Sequence, residues 1–138
     1  MTESEQHRLG QEVRNQLFGE RAGTAAKFLP DALARYTTEV VFGDLWQQPE
    51  LSIQEREMAT SAMLIALGRE AEQRFHFTGA RNLGIERSKI EALITHAAFY
   101  AGWGTAVSAA RILHEVWPAD EDPPVTWPAA PPDPKFGD

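Results

Sequence analysis

Few side chains in this sequence can exchange a proton near neutral pH. It carries 4 histidines, His7, His76, His96 and His114, and no cysteine. An imidazole's ordinary pKa of about 6.5 suits it to general acid–base work. His7 and His114 have no reactive neighbours and read as surface residues. His76 follows Glu72 by four residues, which puts a carboxylate and an imidazole on one face of a helix. That spacing could also present two metal ligands, but a full site needs a third and a fourth. Neither H-E-x-x-H nor E-x-x-H occurs, so no metal is expected. His96 lies three residues after Leu93 and four before Tyr100, beside an apolar stripe. A histidine there is more often a satisfied core residue than a catalyst. Glu57 sits among Met58, Ala59 and Met63, the setting of a half-buried carboxylate, and Glu70 is one further acid of the central segment.

Other chemistries fail on residue type. With no cysteine there can be no disulfide framework, thiolate zinc site, iron–sulfur cluster or redox pair. The phosphate loop G-x-x-x-x-G-K-[ST], the dinucleotide fingerprint and the G-x-S-x-G elbow are all absent. Gly102-Trp103-Gly104 is a glycine pair without the rest of any nucleotide motif. Twenty acids against 13 bases give a net charge of −7. That balance, with no basic run, argues against nucleic acid or an anionic membrane as partner. Met1–Gly10 is polar, with no apolar leader, and no apolar run approaches the roughly 20 residues of a membrane span. The expectation is a cytoplasmic protein acting on a small molecule.

The elements that must position these groups are nearly all helical. At 138 residues and 43% hydrophobic content the chain is the size of one domain, with enough apolar material for a core. Leu9, Val13 and Leu17 mark a first helix over 3–19, followed by a link at 19–26. Pro30 and Asp31 open a second, with Leu33, Tyr36, Val40 and Val41 at helical spacing, which stops before Pro49. Ser52 and Glu55 form a capping box ahead of the apolar run Ala59, Ala62, Met63, Ala66 and Leu67, and Gly68 ends or bends that third helix. A fourth spans about 69–82 and closes at Asn82-Leu83-Gly84. A fifth spans about 86–101, with Ile90, Leu93, Ile94 and Ala97 on one stripe. Gly102 and Gly104 separate it from a sixth at about 105–117. No segment alternates like a strand. Seven of 9 prolines fall in residues 118–138. That tail is either disordered or an extended arm anchored by Val125, Trp127 and Phe136 on a neighbouring subunit. The domain is therefore 1–117.

Together these segments resemble the carboxymuconolactone decarboxylase family. Phe42-Gly43-Asp44-Leu45-Trp46, Leu51 through Arg56-Glu57, Ala66-Leu67-Gly68-Arg69-Glu70 and His76 follow the family's order. Gly79-Ala80-Arg81-Asn82-Leu83-Gly84-Ile85, then Ile90 to His96 with Tyr100-Ala101-Gly102, continue it. The likeness is strong over 40–117 and weaker over 8–39. It implies an all-α, alkylhydroperoxidase D-like bundle of about six helices around a central hairpin, assembled as trimers or hexamers. In the alkylhydroperoxidase D branch a C-x-x-C pair precedes the histidine that matches His76. Those positions are Arg69 and Glu72 here, so the thiol chemistry is lost. The γ-carboxymuconolactone decarboxylase branch, which lacks the pair, is the better likeness.

The resemblance also implies roles. A glutamate and a histidine that relay protons in the thiol branch match Glu57 and His76, and His96 matches the family's H-x-x-x-Y-x-G pattern. Decarboxylation of an unsaturated lactone would need no cofactor, because the conjugated ring accepts the electrons. His76 would deliver a proton to carbon, and Glu57 would hold its tautomer. Arg56, Arg69 or Arg74 would meet the substrate carboxylates, and Tyr100 and Trp103 would line the pocket. The family commonly carries proline where this chain has Gly104. That departure leaves room for two alternatives, an acid–base or tailoring enzyme on another cyclic substrate, or a non-catalytic oligomeric binding protein.

Overall fold

The computed structural model describes residues 3–19 and 27–120. Among them every regular element is helical: α1 (Glu3–Phe18), α2 (Asp31–Tyr36), α3 (Ile53–Leu67), α4 (Glu70–Asn82), α5 (Arg87–Tyr100) and α6 (Trp103–Val116). The all-α expectation holds, and five of the six helices fall within a few residues of the sequence reading. The link at 20–26 and the tail beyond Asp120, with Val125, Trp127 and Phe136, lie outside the described residues.

The α3–α4 hairpin is built by its ends. Ser52 Oγ accepts from the Glu55 amide at 3.0 Å while Glu55 Oε1 accepts from the Ser52 amide at 2.8 Å, so two orphan donors of the first turn are satisfied reciprocally. The helix stops at Gly68, whose φ of 69° is left-handed. There the amides of Gly68 and Arg69 bond back to Ile65 and Leu64, each at 3.0 Å. Only Gly68 and Arg69 separate α3 from α4, so the two helices must fold back on one another.

The second helix differs from its sequence pattern. After Tyr36 the chain widens into a π-helical segment, Thr37–Phe42, followed by a 3₁₀ turn at Leu45–Gln47. The cause is a close crossing with α1. A Cβ on Gly43 would lie 2.2 Å from the Gln6 carbonyl oxygen, so only glycine fits there. Arg14 of α1 also donates to Thr38 Oγ1 at 2.8 Å within the same contact. Backbone approach sets the register, not the apolar stripe. Leu33, Tyr36, Val40 and Val41, expected on a packed face, are 36 to 50% exposed.

Helices α3 to α6 enclose the main core: Ile65 and Phe77 meet Ile90 and Ile94 of α5 and Ile112 and Leu113 of α6. A smaller cluster of Val13, Leu17 and Phe42 ties α1 to the π segment. Helix α3 is inverted relative to its composition. Its buried residues are Glu57, Ser61 and Ile65, while Met63 and Leu67 of the apolar run are 64% and 69% exposed. No described helix is long and apolar enough to cross a membrane.

Candidate functional site

The inward face of α3 meets α4 at a carboxylate–imidazole pair. Glu57 Oε1 lies 2.7 Å from His76 Nδ1. The Glu57 side chain is wholly shielded from solvent and that of His76 is 15% exposed. Glu57 sits in the second turn of α3, where the capping box fixes the helix start. His76 projects from the middle of α4, and Gly79 lies one turn further along. A Cβ on Gly79 would stand 3.5 Å from Glu57 Oε1 and 3.1 Å from Leu17 Cδ2. The missing side chain lets α1 close over the pair. Phe18, the last residue of α1, packs its ring edge-to-face on His76, with centroids 5.4 Å apart.

Burial pushes the Glu57 carboxyl above its ordinary range, and the hydrogen bond and charge of His76 oppose that shift. A hydrogen in the 2.7 Å contact can rest on either partner. With the proton on Glu57, Oε1 donates to Nδ1; with it on His76, Nδ1–H donates to Oε1. In the first arrangement Nε2 carries the ring hydrogen; in the second it carries one when both ring nitrogens are protonated, the form that can donate from Nε2. The expected Glu72–His76 pair does not form, because His76 turns its Nδ1 to Glu57 and Glu72 is exposed. Among the described residues no group of three or more His, Asp or Glu could hold a metal ion.

The three arginines are placed differently. Arg56 donates from Nη2 to the Gln48 carbonyl at 3.0 Å, and its buried Nε has no partner. Arg69 is exposed at the hairpin turn. Arg74 is committed elsewhere: its Nε pairs with Glu115 of α6 at 2.9 Å. That ion pair stands on the rim of a cleft of about 620 Å³ that Phe18, Thr78 and Asn82 also line.

Residues 31–115 match the carboxymuconolactone decarboxylase family. The 4-carboxymuconolactone decarboxylase of Acinetobacter baylyi is 30% identical over 121 residues, 85% of this chain and 90% of that protein. The chain belongs to the carboxymuconolactone decarboxylase family. A nitrosuccinic acid decarboxylase (npaB) from Metarhizium robertsii is 32% identical over 72 residues, 52% of this chain and 50% of its own. Both relatives are named decarboxylases, which supports a decarboxylase of this family.

The family's H-x-x-x-Y-x-G segment stands apart from the dyad. His96 is exposed and stacks on Tyr100, with ring centroids 4.7 Å apart, so it is not the satisfied core residue its stripe suggested. It makes no hydrogen bond to Glu57 or His76 among the described contacts. Instead it lines a shallow apolar depression with Met58, Lys89, Ala92 and Leu93. Tyr100 and Trp103 are 82% and 67% exposed, so neither lines an enclosed pocket within one chain. Gly102, with φ of 121°, starts α6, and a side chain on Gly104 would meet nothing within 4 Å. Space alone would therefore allow the family's proline.

Sequence reasoning passed over Phe18, Ser61 and Gln73. Phe18 lies outside the well-matched region. Ser61 and Gln73 carried no signal except spacing, one turn after Glu57 and one turn before His76.

Proposed function

We propose that the protein is a cofactor-independent carboxy-lyase acting on 4-carboxymuconolactone or a close cyclic carboxylate, with His76 as the acid. The observation that carries this reading is the 2.7 Å contact between a fully buried Glu57 and Nδ1 of a partly exposed His76. The reaction needs a carboxylate to leave as CO₂, its bonding electrons to enter the conjugated lactone, and one proton to reach ring carbon. His76 Nε2–H supplies that proton. As it leaves, the hydrogen shared with Glu57 comes to rest on Nδ1, which donates it to the Glu57 carboxylate, and solvent later restores the proton to Nε2. The net change is one proton taken up and one CO₂ released.

Arg56 and Arg69 are the cations proposed to meet the substrate carboxylates, since Arg74 already has Glu115. The chain is proposed to work as a homo-oligomer, trimer or hexamer. Support comes from apolar side chains left at the surface on α3, α5 and α6, among them Met63, Leu67, Phe99 and Trp103. A second reading, the same acid chemistry on a different carboxylate, draws on Gly104 in place of proline and on the named activity of the fungal relative. The deciding experiment gives purified protein freshly prepared 4-carboxymuconolactone and follows CO₂ and enol-lactone. Turnover establishes the first reading. Its absence, with release of CO₂ from another carboxylate in a panel, transfers the assignment to the second.

A further inference from the structure

Behind the dyad lies a group of buried polar atoms that the proton transfer does not use. Glu57 Oε2, Ser61 Oγ and Gln73 Oε1 are each shielded from solvent and without a hydrogen-bond partner. Their side chains are at most 1% exposed. Helix register brings them to one seam. Ser61 follows Glu57 by one turn on the buried face of α3, and Gln73 precedes His76 by one turn on α4. A buried polar atom left unpaired is costly, so three together are unusual in a stable core.

Ser61 is also unlike its neighbours. Thr37, Thr60, Thr78 and Thr95 each donate their hydroxyl to the carbonyl four residues earlier, at 2.7 to 3.0 Å. Ser61 makes no such bond, which keeps its hydrogen available to other acceptors. Gln73 uses its amide nitrogen on the Leu64 carbonyl at 3.1 Å, which aims Oε1 away from that bond. The inventory is then unequal. Ser61 contributes one hydrogen, while an ionised Glu57 Oε2 and Gln73 Oε1 are two acceptors.

We propose that Ser61 and Gln73 are positioning residues that set the charge on Glu57 from behind, Ser61 by donating to Oε2 and Gln73 by competing for that hydrogen. When Ser61 donates to Glu57, the carboxylate is stabilised and His76 holds the shared proton. When Ser61 donates to Gln73, Oε2 loses that support and the shared proton rests on Oε1, which donates to Nδ1 of His76. The pair is thereby poised between two hydrogen-bonded arrangements that differ in where one proton rests. Among the described residues His76 is the ionisable group acting on Glu57, which Leu17 meets from α1 and Gly79 and His76 meet from α4.

The inference rests on the dyad having the proposed acid role, but its test needs no substrate. The carboxyl ¹³C resonance of Glu57 is titrated by NMR in wild type, Ser61→Ala, Ser61→Thr and Gln73→Met. Ser61→Ala removes the donor and should raise the Glu57 midpoint by about half a pH unit or more. Gln73→Met removes the competitor and should lower it, while Leu64 O keeps its bond from the Arg69 amide. Ser61→Thr retains the hydroxyl and should restore the wild-type midpoint. Opposite signs for the two deletions are the signature, since general loosening of the core would move both midpoints the same way. Equal signs, or no movement in either, overturn the proposal. If turnover is lost from the reading above but the opposite shifts remain, the charge control stands without the decarboxylase.

Discussion

The two histidines of the central helices occupy opposite situations. His76 is shielded on α4, tied through Nδ1 to a buried acid and covered by Phe18. His96 stands exposed on α5, stacked on Tyr100. Both lie on helices of similar length. What separates them is the face opposite. Across from His76 the adjacent helix turns Glu57 and Ser61 inward, whereas the surface around His96 offers Met58, Leu93 and the aromatic end of α5. An imidazole becomes an acid–base group when a neighbour fixes its tautomer and excludes water, and one region supplies this while the other supplies apolar area.

The largest expected consequence of this difference is in turnover. His76→Gln removes the proton donor and should lower kcat by about 10²- to 10⁴-fold, the usual contribution of a positioned acid. His96→Gln should stay within about tenfold of wild type. Steady-state assays on both variants, with circular dichroism to confirm helicity, check the pair. Equal losses in the two would erase the distinction, and a larger loss in His96→Gln would move the acid to α5.

A second contrast follows from Glu57, for which the region of His96 has no counterpart. Its carboxyl is pushed above the ordinary value of 4.5 by burial. The folded state therefore binds this proton more tightly than the unfolded chain. The stabilisation is complete below the unfolded value and is lost as pH rises through the folded one. Wild-type stability should thus fall across that window with a component of up to about 1.4 kcal/mol per pH unit. Glu57→Gln should flatten it, because an amide has no proton to lose. Urea unfolding at a series of pH values reads the slopes; parallel slopes would mean that Glu57 binds its proton no more tightly in the folded state than in the unfolded one.

How much of this was legible in the sequence depends on which force sets each feature. The capping box at Ser52 and Glu55, the left-handed stop at Gly68 and the stripe of Ile90, Ile94 and Ala97 are local, and residue type alone specifies them. The ordering of α3 was not legible from composition. Met63 and Leu67 face outward while Glu57 and Ser61 share the buried stripe with Ile65, so burial there follows the partner helix and not hydropathy alone. The π segment after Tyr36 was likewise hidden, since it answers to the distant backbone of Gln6. Glu57 and His76 are 19 residues apart. Family likeness pointed to them, whereas the sequence neighbours of His76 pointed to Glu72.

The smallest effect on the chain itself is expected at the exposed aromatic end. Trp103 touches Phe99 edge-on, with centroids 6.0 Å apart, and is 67% exposed. Within one chain it loses little water on folding, so Trp103→Ser should change unfolding free energy of the isolated chain by no more than about 0.5 kcal/mol. A helix-starting tryptophan beside Tyr100 and Phe99 instead gives a second copy something to bury, and aromatic anchors of this kind carry much of an interface's energy. The same substitution should therefore shift sedimentation toward smaller species at fixed concentration. It should leave the pH slope assigned to Glu57 in place, because the dyad is built within one chain. Loss of that slope together with assembly would show instead that a neighbouring copy shields Glu57, and the two regions would then be one site.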